Sequence, residues 1–160
     1  MNRYRYLIVL SLLLFSGCGD SSRPKDLPPL FPCVVSVTQG GKSLEGAYVE
    51  LVSPDVQTYR PSATTGVDGD AVISTYGYPG APEGKYKIIA RKSIEDDIVH
   101  GTDEYGEKAV VSSNRYNVIQ DTYGDVKKTP HEIEVTKDKK GVKVTVDVGD
   151  AIRVKHKGSD

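Results

Sequence analysis

The chain has 160 residues, of which 38% are hydrophobic and 27% are charged, and its formal net charge is −1 at pH 7. This length suggests one modest domain, and the near-balance of charge excludes the basic surface on which nucleic-acid binding depends. Two cysteines are too few for a disulfide framework.

Residues 1–17 have the pattern of a secretory signal peptide. Arg3 and Arg5 make the start positive, and residues 7–15 are apolar except for one serine. This apolar run is about half of what a transmembrane helix needs, and small residues follow at the expected cleavage point. We expect this segment to be absent from the mature protein.

Phe15-Ser16-Gly17-Cys18 closes this segment and resembles the lipobox of bacterial lipoproteins. The resemblance implies that the sulfur of Cys18 takes a diacylglycerol and that cleavage leaves this cysteine as the new N-terminus. Such lipids carry enough methylene groups for stable attachment, so we expect a protein anchored in the bacterial cell envelope. Because Gly19 rather than an aspartate follows, the outer membrane is favoured over the inner one. An ordinary signal peptide that contains a cysteine is the alternative.

A tether is predicted over residues 18–32, counting the lipidated cysteine. Its sequence after Cys18, GDSSRPKDLPPLFP, includes four prolines and little apolar surface. Such a segment cannot form a core and is typical of an extended, semi-stiff spacer. We therefore expect it to hold the folded domain away from the lipid.

From Cys33 onward apolar and polar residues alternate, which predicts strands. CVVSVTQGGKSLEGAYVELVSP indicates two strands, and its glycines give the connection the backbone freedom it needs. The residues predicted to face one side are Val35 and Val37 in the first strand, and Ala47, Val49 and Leu51 in the second.

Further strands follow along the chain. SATTGVDGDAVIST predicts a strand, a turn at Asp68-Gly69 and a strand that places Ala71 and Ile73 on one face. PGAPEGKYKIIARK predicts another strand, in which Tyr86 can act as a corner residue that hydrogen-bonds back to the chain. HEIEVTKDKKGVKVTVDVGD has four alternating valines and predicts a final hairpin. About seven short strands over residues 33–150 predict an all-β fold, a single antiparallel sandwich of Ig-like or prealbumin-like type.

The segment 93–128 is polar and lacks a sustained period. We expect a long loop there, with at most short elements, and a stretch this long without clear structure is usually an excursion loop or a functional surface. Tyrosine suits such surfaces because its apolar ring carries a polar tip. The residues expected to form a partner surface are Tyr105, Tyr116 and Tyr123. Residues 151–160, with the basic run RVKHK, are expected to form a frayed tail.

Several motifs, taken in order, resemble the carboxypeptidase regulatory-like, transthyretin-like (prealbumin-type) β-sandwich. VTQGGKSLEGAYVELVSP resembles the turn between the first two strands of that family, TTGVDGDAVIST its Thr-Asp-x-Asp-Gly turn, and PEGKYKI its entry to the next strand. The stretch from IQDTYGD to VKVTVDV is similar to the tail of small bacterial lipoproteins that carry this domain. These motifs cover most of residues 34–148, although Gly66 stands where the family usually has an aspartate. The resemblance implies a non-catalytic envelope module.

No catalytic arrangement is visible in the sequence, and we expect no enzyme activity, no cofactor and no metal. The three histidines lack metal-site spacing, and no serine or cysteine lies in a nucleophile context. Asp68 and Asp70 lack the further oxygen ligands of a calcium loop. Cys33 is expected to be a buried small hydrophobe rather than a reactive thiol.

The acidic residues within 93–128 keep a second function open. Glu95-Asp96-Asp97, with Asp103, Glu104 and Glu107 nearby, could hold a cation or a basic partner, although a solvated charged loop is the simpler interpretation. The leading hypothesis is a lipid-anchored structural or protein-interaction module whose partner is another envelope protein. The alternative is a module that binds a small ligand, either a glycan or a cation.

Overall fold

Strands make up most of the described chain, as the alternating apolar residues predict. The computed structural model describes residues 23–54, 58–138 and 140–156. The strands in chain order are β1 (Leu30–Phe31), β2 (Cys33–Gln39), β3 (Lys42–Ser43), β4 (Tyr48–Val52), β5 (Ser62–Thr64), β6 (Asp70–Val72), β7 (Ser74–Thr75), β8 (Tyr78–Pro79), β9 (Ala81–Pro82), β10 (Gly84–Arg91), β11 (Ser93–Thr102), β12 (Lys108–Asn117), β13 (Glu132–Val135), β14 (Val142–Asp147) and β15 (Val154–Lys155). One helical turn, α1 (Asp121–Gly124), lies between β12 and β13.

Two sheets form the body of the molecule. The larger has the strand order β13-β10-β4-β5-β7-β8, and every pair in it is antiparallel. The smaller has the order β14-β2-β3, and β6 also pairs with β2. Among the described residues, seven strands of these two sheets are three residues or longer. The predicted all-β sandwich is confirmed.

The core lies between the two sheets and is built from the predicted inward faces. The predicted core residues are all 0% exposed, namely Val35, Val37, Ala47, Val49, Leu51, Ala71 and Ile73. Full burial of one valine, leucine or isoleucine side chain contributes about 1.5–3 kcal/mol. The period-two pattern therefore identifies the faces that stabilise the fold.

The predicted final hairpin is wrong. β13 pairs with β10 in the larger sheet, whereas β14 pairs with β2 in the smaller sheet, and this second pair is parallel. Each strand has one apolar face, and placing the two strands in different sheets lets both faces meet in the core. Alternation shows which residues face inward but not which strand is the partner.

Three local predictions are confirmed. The Tyr86 hydroxyl donates a hydrogen bond to the Pro82 carbonyl oxygen at 2.9 Å, which makes it a corner residue. The turn before β6 is closed by the Asp68 carboxylate, and Gly69 has a φ of +81°. A Cβ at this glycine would lie 2.7 Å from a carbonyl oxygen of β2, so no larger residue fits without a shift. Cys33 is buried, with 2% exposure.

Residues 23–32, which we name the strap, lie against the sandwich instead of forming the predicted tether. Leu27 is buried, and the Tyr59 hydroxyl donates a hydrogen bond to the Asp26 carbonyl oxygen at 2.7 Å. β1, within the strap, pairs with β9. Proline is compatible with an edge strand, and the apolar residues between the prolines bind the strap to the sandwich. The rest of the predicted tether, residues 18–22, lies outside the described residues.

Residues 93–117, which we name the arm, form a hairpin instead of the predicted long loop. β11 and β12 pair antiparallel, with an irregular register between Asp96 and His100. The arm was not predicted because it lacks a buried face, so its sequence has no period-two pattern. The expected frayed tail is also corrected, since β15 pairs with the end of β12. Residues 157–160 lie outside the described residues.

The strap and the arm lie at opposite ends of the sandwich. β10 begins at Gly84, just after the strand that pairs with the strap, and ends at Arg91, just before the arm. At about 3.3 Å per residue, this strand separates the two ends by roughly 23 Å. β2 runs from Cys33, just after the strap, to Gln39, whose side chain donates to the Val118 carbonyl oxygen just beyond the arm. We name these the strap end and the arm end.

Candidate functional site

The arm has no hydrophobic core of its own. None of the ten residues of β11 is buried. Within the described chain, the two strands of the arm pair only with each other and with β15. Large apolar side chains nevertheless lie exposed on it, namely Ile94, Ile98, Val99, Tyr105 and Val110. An element without a core that exposes this many large apolar side chains is a candidate interaction site.

The tip of the arm is an ordered turn that presents Tyr105 to solvent. The Asp103 carboxylate accepts hydrogen bonds from the backbone N–H groups of Tyr105, at 2.9 Å, and Glu107, at 2.8 Å. Gly106 has a φ of +83°, which suits the turn. With 82% of its surface exposed, the Tyr105 side chain is available for contact.

The base of the arm is held by a cluster of polar side chains. The Tyr116 hydroxyl and the Asn114 amide both donate to the Asp97 carboxylate. The Arg153 guanidinium lies 4.3 Å from the centroid of the Tyr116 ring and 2.7 Å from a carboxylate oxygen of Asp96. This cation–π contact and ion pair join the arm to the segment that contains β15.

The electrostatics of this cluster agree with its geometry. Hydrogen bonds from Tyr116 and then Asn114 hold the pKa of Asp97 below its ordinary value. The bond to Asp97 raises the pKa of the Tyr116 hydroxyl, because ionisation would remove the donated proton. Tyr116 is therefore a neutral donor over the whole physiological range.

The arm is strongly acidic. Residues 93–117 contain six acidic and two basic side chains, an excess of four negative charges. Glu95 is paired with Arg115 at 3.2 Å, while the acidic residues near the tip stay exposed. In the part of the chain that the structure describes, no group of three or more His, Cys, Asp or Glu side chains is arranged to hold a metal ion. The arm thus offers a negative surface with apolar side chains on it.

The structure does not bring together the three tyrosines expected to form a partner surface. Tyr105 is exposed at the tip, but Tyr116 is committed to the base of the same hairpin. Tyr123 lies in α1, packs against the core and stacks on His131 with ring centroids 5.6 Å apart. Of the three, only Tyr105 is free to contact a partner.

A charge cluster around one buried carboxylate, which the sequence does not predict, lies on the outer face of the larger sheet. Glu50 points outward from β4, yet it is only 5% exposed. Nη1 of Arg60 lies 3.2 Å from one of its carboxylate oxygens, and Nη1 of Arg91 lies 3.9 Å from the other. Arg91 also donates to the Gly124 carbonyl oxygen through Nε and Nη2. The cluster borders a cleft of about 530 Å³ and fixes α1 to the sheet.

Nothing in the residues around Glu50 could have revealed this cluster. An outward-facing glutamate in a strand is normally solvated, and the segment that contacts its partner Arg91 lies far along the chain. Only the carboxylate is buried, since the Arg60 and Arg91 side chains are 72% and 56% exposed. Removing an arginine would leave the buried Glu50 charge with fewer partners, which is costly. We therefore assign the cluster a structural role.

The expected lipid site, Cys18, lies outside the described residues. The described part of the chain contains no helix of the length and apolarity that crossing a membrane requires.

A scan against protein-family models finds no match for this chain, and searches of curated proteins and of solved structures find none either.

Proposed function

We propose that this protein is a lipid-anchored, non-catalytic module of the bacterial cell envelope that binds a partner protein through its arm. The observation that carries the proposal is the arm itself, which beyond its base, where β15 pairs with β12, is a two-stranded ribbon with exposed β-branched residues and no core. A ribbon of two strands is marginally stable in water. A partner that covered it would remove apolar surface from water and stabilise both the complex and the arm.

The charge of the arm indicates the chemistry of the partner. The arm has four excess negative charges, one of which Arg153 offsets at the base, and this balance favours a partner whose surface is basic around an apolar centre. Such complementarity speeds association and selects among partners more than it adds affinity. Tyr105 at the tip supplies an aromatic ring with a polar hydroxyl. Tyrosine is enriched among the hot-spot residues of protein interfaces.

Sequence motifs support the anchor and the type of sandwich. The lipobox-like Phe15-Ser16-Gly17-Cys18 supports lipidation at Cys18, and Gly19 favours the outer membrane. The order of the strand motifs supports a carboxypeptidase regulatory-like, transthyretin-like sandwich, and the all-β fold is compatible with it. No cofactor other than the covalent lipid is proposed.

The anchor is tested by fractionating cells that express the tagged full-length protein. The wild type should sediment with membranes, and the Cys18→Ala variant should not, because it lacks the sulfur that takes the lipid. Mass spectrometry of the N-terminal peptide identifies the lipid directly. Membrane retention of the Cys18→Ala variant, with no lipid on the wild type, would contradict the anchor.

The arm is tested by crosslinking in the same cells and identifying what is captured. The double substitution Val99→Ser and Val110→Ser should weaken capture at least about tenfold, since burial of one valine is worth about 1.5 kcal/mol or more. The matched control is Val67→Ser with Val72→Ser, two exposed valines of the sandwich. Equal capture by both double variants would contradict the arm as the site. Heat on adding Ca²⁺ or an envelope saccharide, with no protein captured, would favour the small-ligand alternative.

A further inference from the structure

The proposed anchor can reach only one end of the sandwich. Cys18 precedes Arg23, the first described residue, by five positions. A fully extended chain spans at most about 3.6 Å per residue, so this connection is at most about 18 Å long. The strap that follows is bound to the sandwich, and the arm starts beyond the whole length of β10. A lipid on Cys18 would therefore hold the strap end, and not the arm end, beside the membrane.

Three tyrosines gather at the strap end. The rings of Tyr59 and Tyr76 meet edge to face with centroids 6.1 Å apart, and the Arg23 guanidinium lies 5.9 Å from the centroid of the Tyr78 ring. Tyr76 is 62% exposed and has a φ of +52°, a conformation that is energetically costly for a residue other than glycine. Tyrosine is enriched where membranes meet water, because its ring and hydroxyl match the headgroup layer.

Basic residues accompany these tyrosines. The described residues of the strap and of the two nearby turns, 76–84 and 136–141, include four basic and three acidic side chains, and Lys137 pairs with Glu83 at 3.2 Å. The arm has the opposite balance, with four excess negative charges. The strap carries Arg23 and Lys25 on its exposed surface. A negatively charged membrane would attract the strap end and repel the arm.

We propose that the strap end is a membrane-contact surface that fits anionic phospholipid headgroups, with the tyrosine rings at headgroup level and the basic side chains on phosphates. In this orientation the arm lies at the end away from the lipid, where a partner can reach it. The inference rests on the proposed lipid anchor at Cys18, and it adds the orientation and the lipid chemistry that the anchor alone does not specify.

The orientation is tested with the lipidated full-length protein in vesicles of phosphatidylethanolamine and phosphatidylglycerol that contain a lipid with a nitroxide headgroup. A fluorophore is attached at Lys25→Cys in one sample and at Ser112→Cys, in the arm, in another. Cys33 does not compete for the label, because it is buried and burial raises the pKa of its thiol to about 11. The nitroxide should quench the fluorescence of the label at position 25 several-fold more strongly than that of the label at position 112. Equal quenching, or stronger quenching in the arm, would overturn the orientation.

The chemistry of the surface is tested with matched variants. Tyr76→Ser with Lys137→Gln, at the strap end, should reduce the quenching at position 25, whereas Tyr105→Ser with Lys108→Gln, in the arm, should leave it unchanged. Replacing phosphatidylglycerol with phosphatidylcholine in the vesicles should also reduce the quenching at position 25. An unchanged signal in both experiments would contradict recognition of anionic lipid.

The two proposals fail in different ways. If the N-terminal peptide carries no lipid and the protein does not enter vesicles, the anchor is wrong and this inference falls with it. If the lipidated protein enters vesicles but both labels are quenched equally, the anchor stands and the membrane-contact surface is wrong.

Discussion

Tyr86 joins the entry of β10 to the core through two different contacts. Its ring is buried, and its hydroxyl donates to the Pro82 carbonyl oxygen four residues earlier. Gly84 lies between them, and a Cβ there would touch the ring at 3.5 Å. The corner therefore sets the direction in which the chain leaves β9, the partner of the strap, and enters the larger sheet.

Replacing Tyr86 by Phe should lower the free energy of unfolding by about 1–2 kcal/mol, because a buried carbonyl oxygen loses its donor. Urea denaturation followed by circular dichroism measures the change. Tyr105→Phe, which removes an exposed hydroxyl, should alter the free energy by less than about 0.5 kcal/mol. Equal losses in the two variants would show that the corner bond contributes nothing.

Whether the role of a side chain can be predicted from the sequence depends on how far along the chain the residues that it contacts lie. The role of Tyr86 could be predicted because its acceptor lies four residues away in the same turn. The roles of Tyr116 and Tyr123 could not, because Arg153 and His131 reach them only after the sheets have formed. In a polar segment, a tyrosine that stabilises the fold and a tyrosine that binds a partner have the same sequence context.

At the scale of the element, the position of the strap depends on a close approach between the backbones of Gly80 and Phe31. Gly80 has a φ of +104°, and a Cβ there would lie 2.6 Å from the Phe31 carbonyl oxygen. Nothing described lies within 4 Å of the corresponding position at Gly77, although its φ is +84°. The two glycines thus share a left-handed backbone but differ in crowding.

Gly80→Ala should release the strap, since the added methyl group collides with backbone that cannot move aside while β1 stays paired. Limited trypsin digestion should then cut after Lys25 several-fold faster than in the wild type. Gly77→Ala serves as the control, because it introduces the same backbone strain in open space. A cleavage rate that rises equally in both variants would contradict the steric explanation.

The arm should open independently of the sandwich, because few of its contacts reach beyond itself. Arg153→Ala removes the cation–π contact with Tyr116 and the ion pair with Asp96. Amide hydrogen exchange in β11 and β12 should then accelerate severalfold, while exchange in β2 and β10 stays unchanged.

Arg115→Ala is the control for this measurement. It removes an exposed ion pair within the arm, and such pairs contribute about 1 kcal/mol or less. Unchanged exchange of the arm in the Arg153→Ala variant would show that the cluster at its base does not hold it.

Elements with one buried face could be predicted from the sequence, and elements without one could not. β2 and β14 alternate because water lies on one side and the core on the other, and β4 alternates because polar side chains cover its outer face. The arm meets water on both sides, and the strap uses only short apolar stretches between prolines. The pairing of β13 and β14 with different partners also escaped prediction, since alternation carries no information on which strand lies alongside.

At the scale of the whole molecule, hydrogen-bonded carboxylates link stability to pH. Five carboxyl groups have a pKa below its ordinary value, those of Asp70, Asp97, Asp125, Glu132 and Asp147. For Asp70 the main causes are hydrogen bonds from Lys143 and Ser36, which join β14, β2 and β6. A lowered folded-state pKa stabilises the protein above the unfolded-state pKa, and this stabilisation is lost as the pH falls through the folded-state value.

The melting temperature should therefore fall steeply as the pH drops below about 4, the ordinary pKa of an aspartate. Asp70→Asn should lower the melting temperature at pH 7, and its difference from the wild type should shrink in acid, where Asp70 becomes protonated. Differential scanning calorimetry across this range measures both effects. Asp121→Asn, at an exposed side chain of α1, is the control. A difference that stays constant with pH would contradict the role of the Asp70 charge.

The parallel pairing of β14 with β2 also determines when folding can be completed. Thr38 and Asp147, which pair through this ladder, are 109 residues apart along the chain. The smaller sheet cannot close until β14 has been synthesised, and contacts this distant in sequence form slowly. A nascent chain would thus stay open until β14 has left the ribosome, and only then could it gain its final shape.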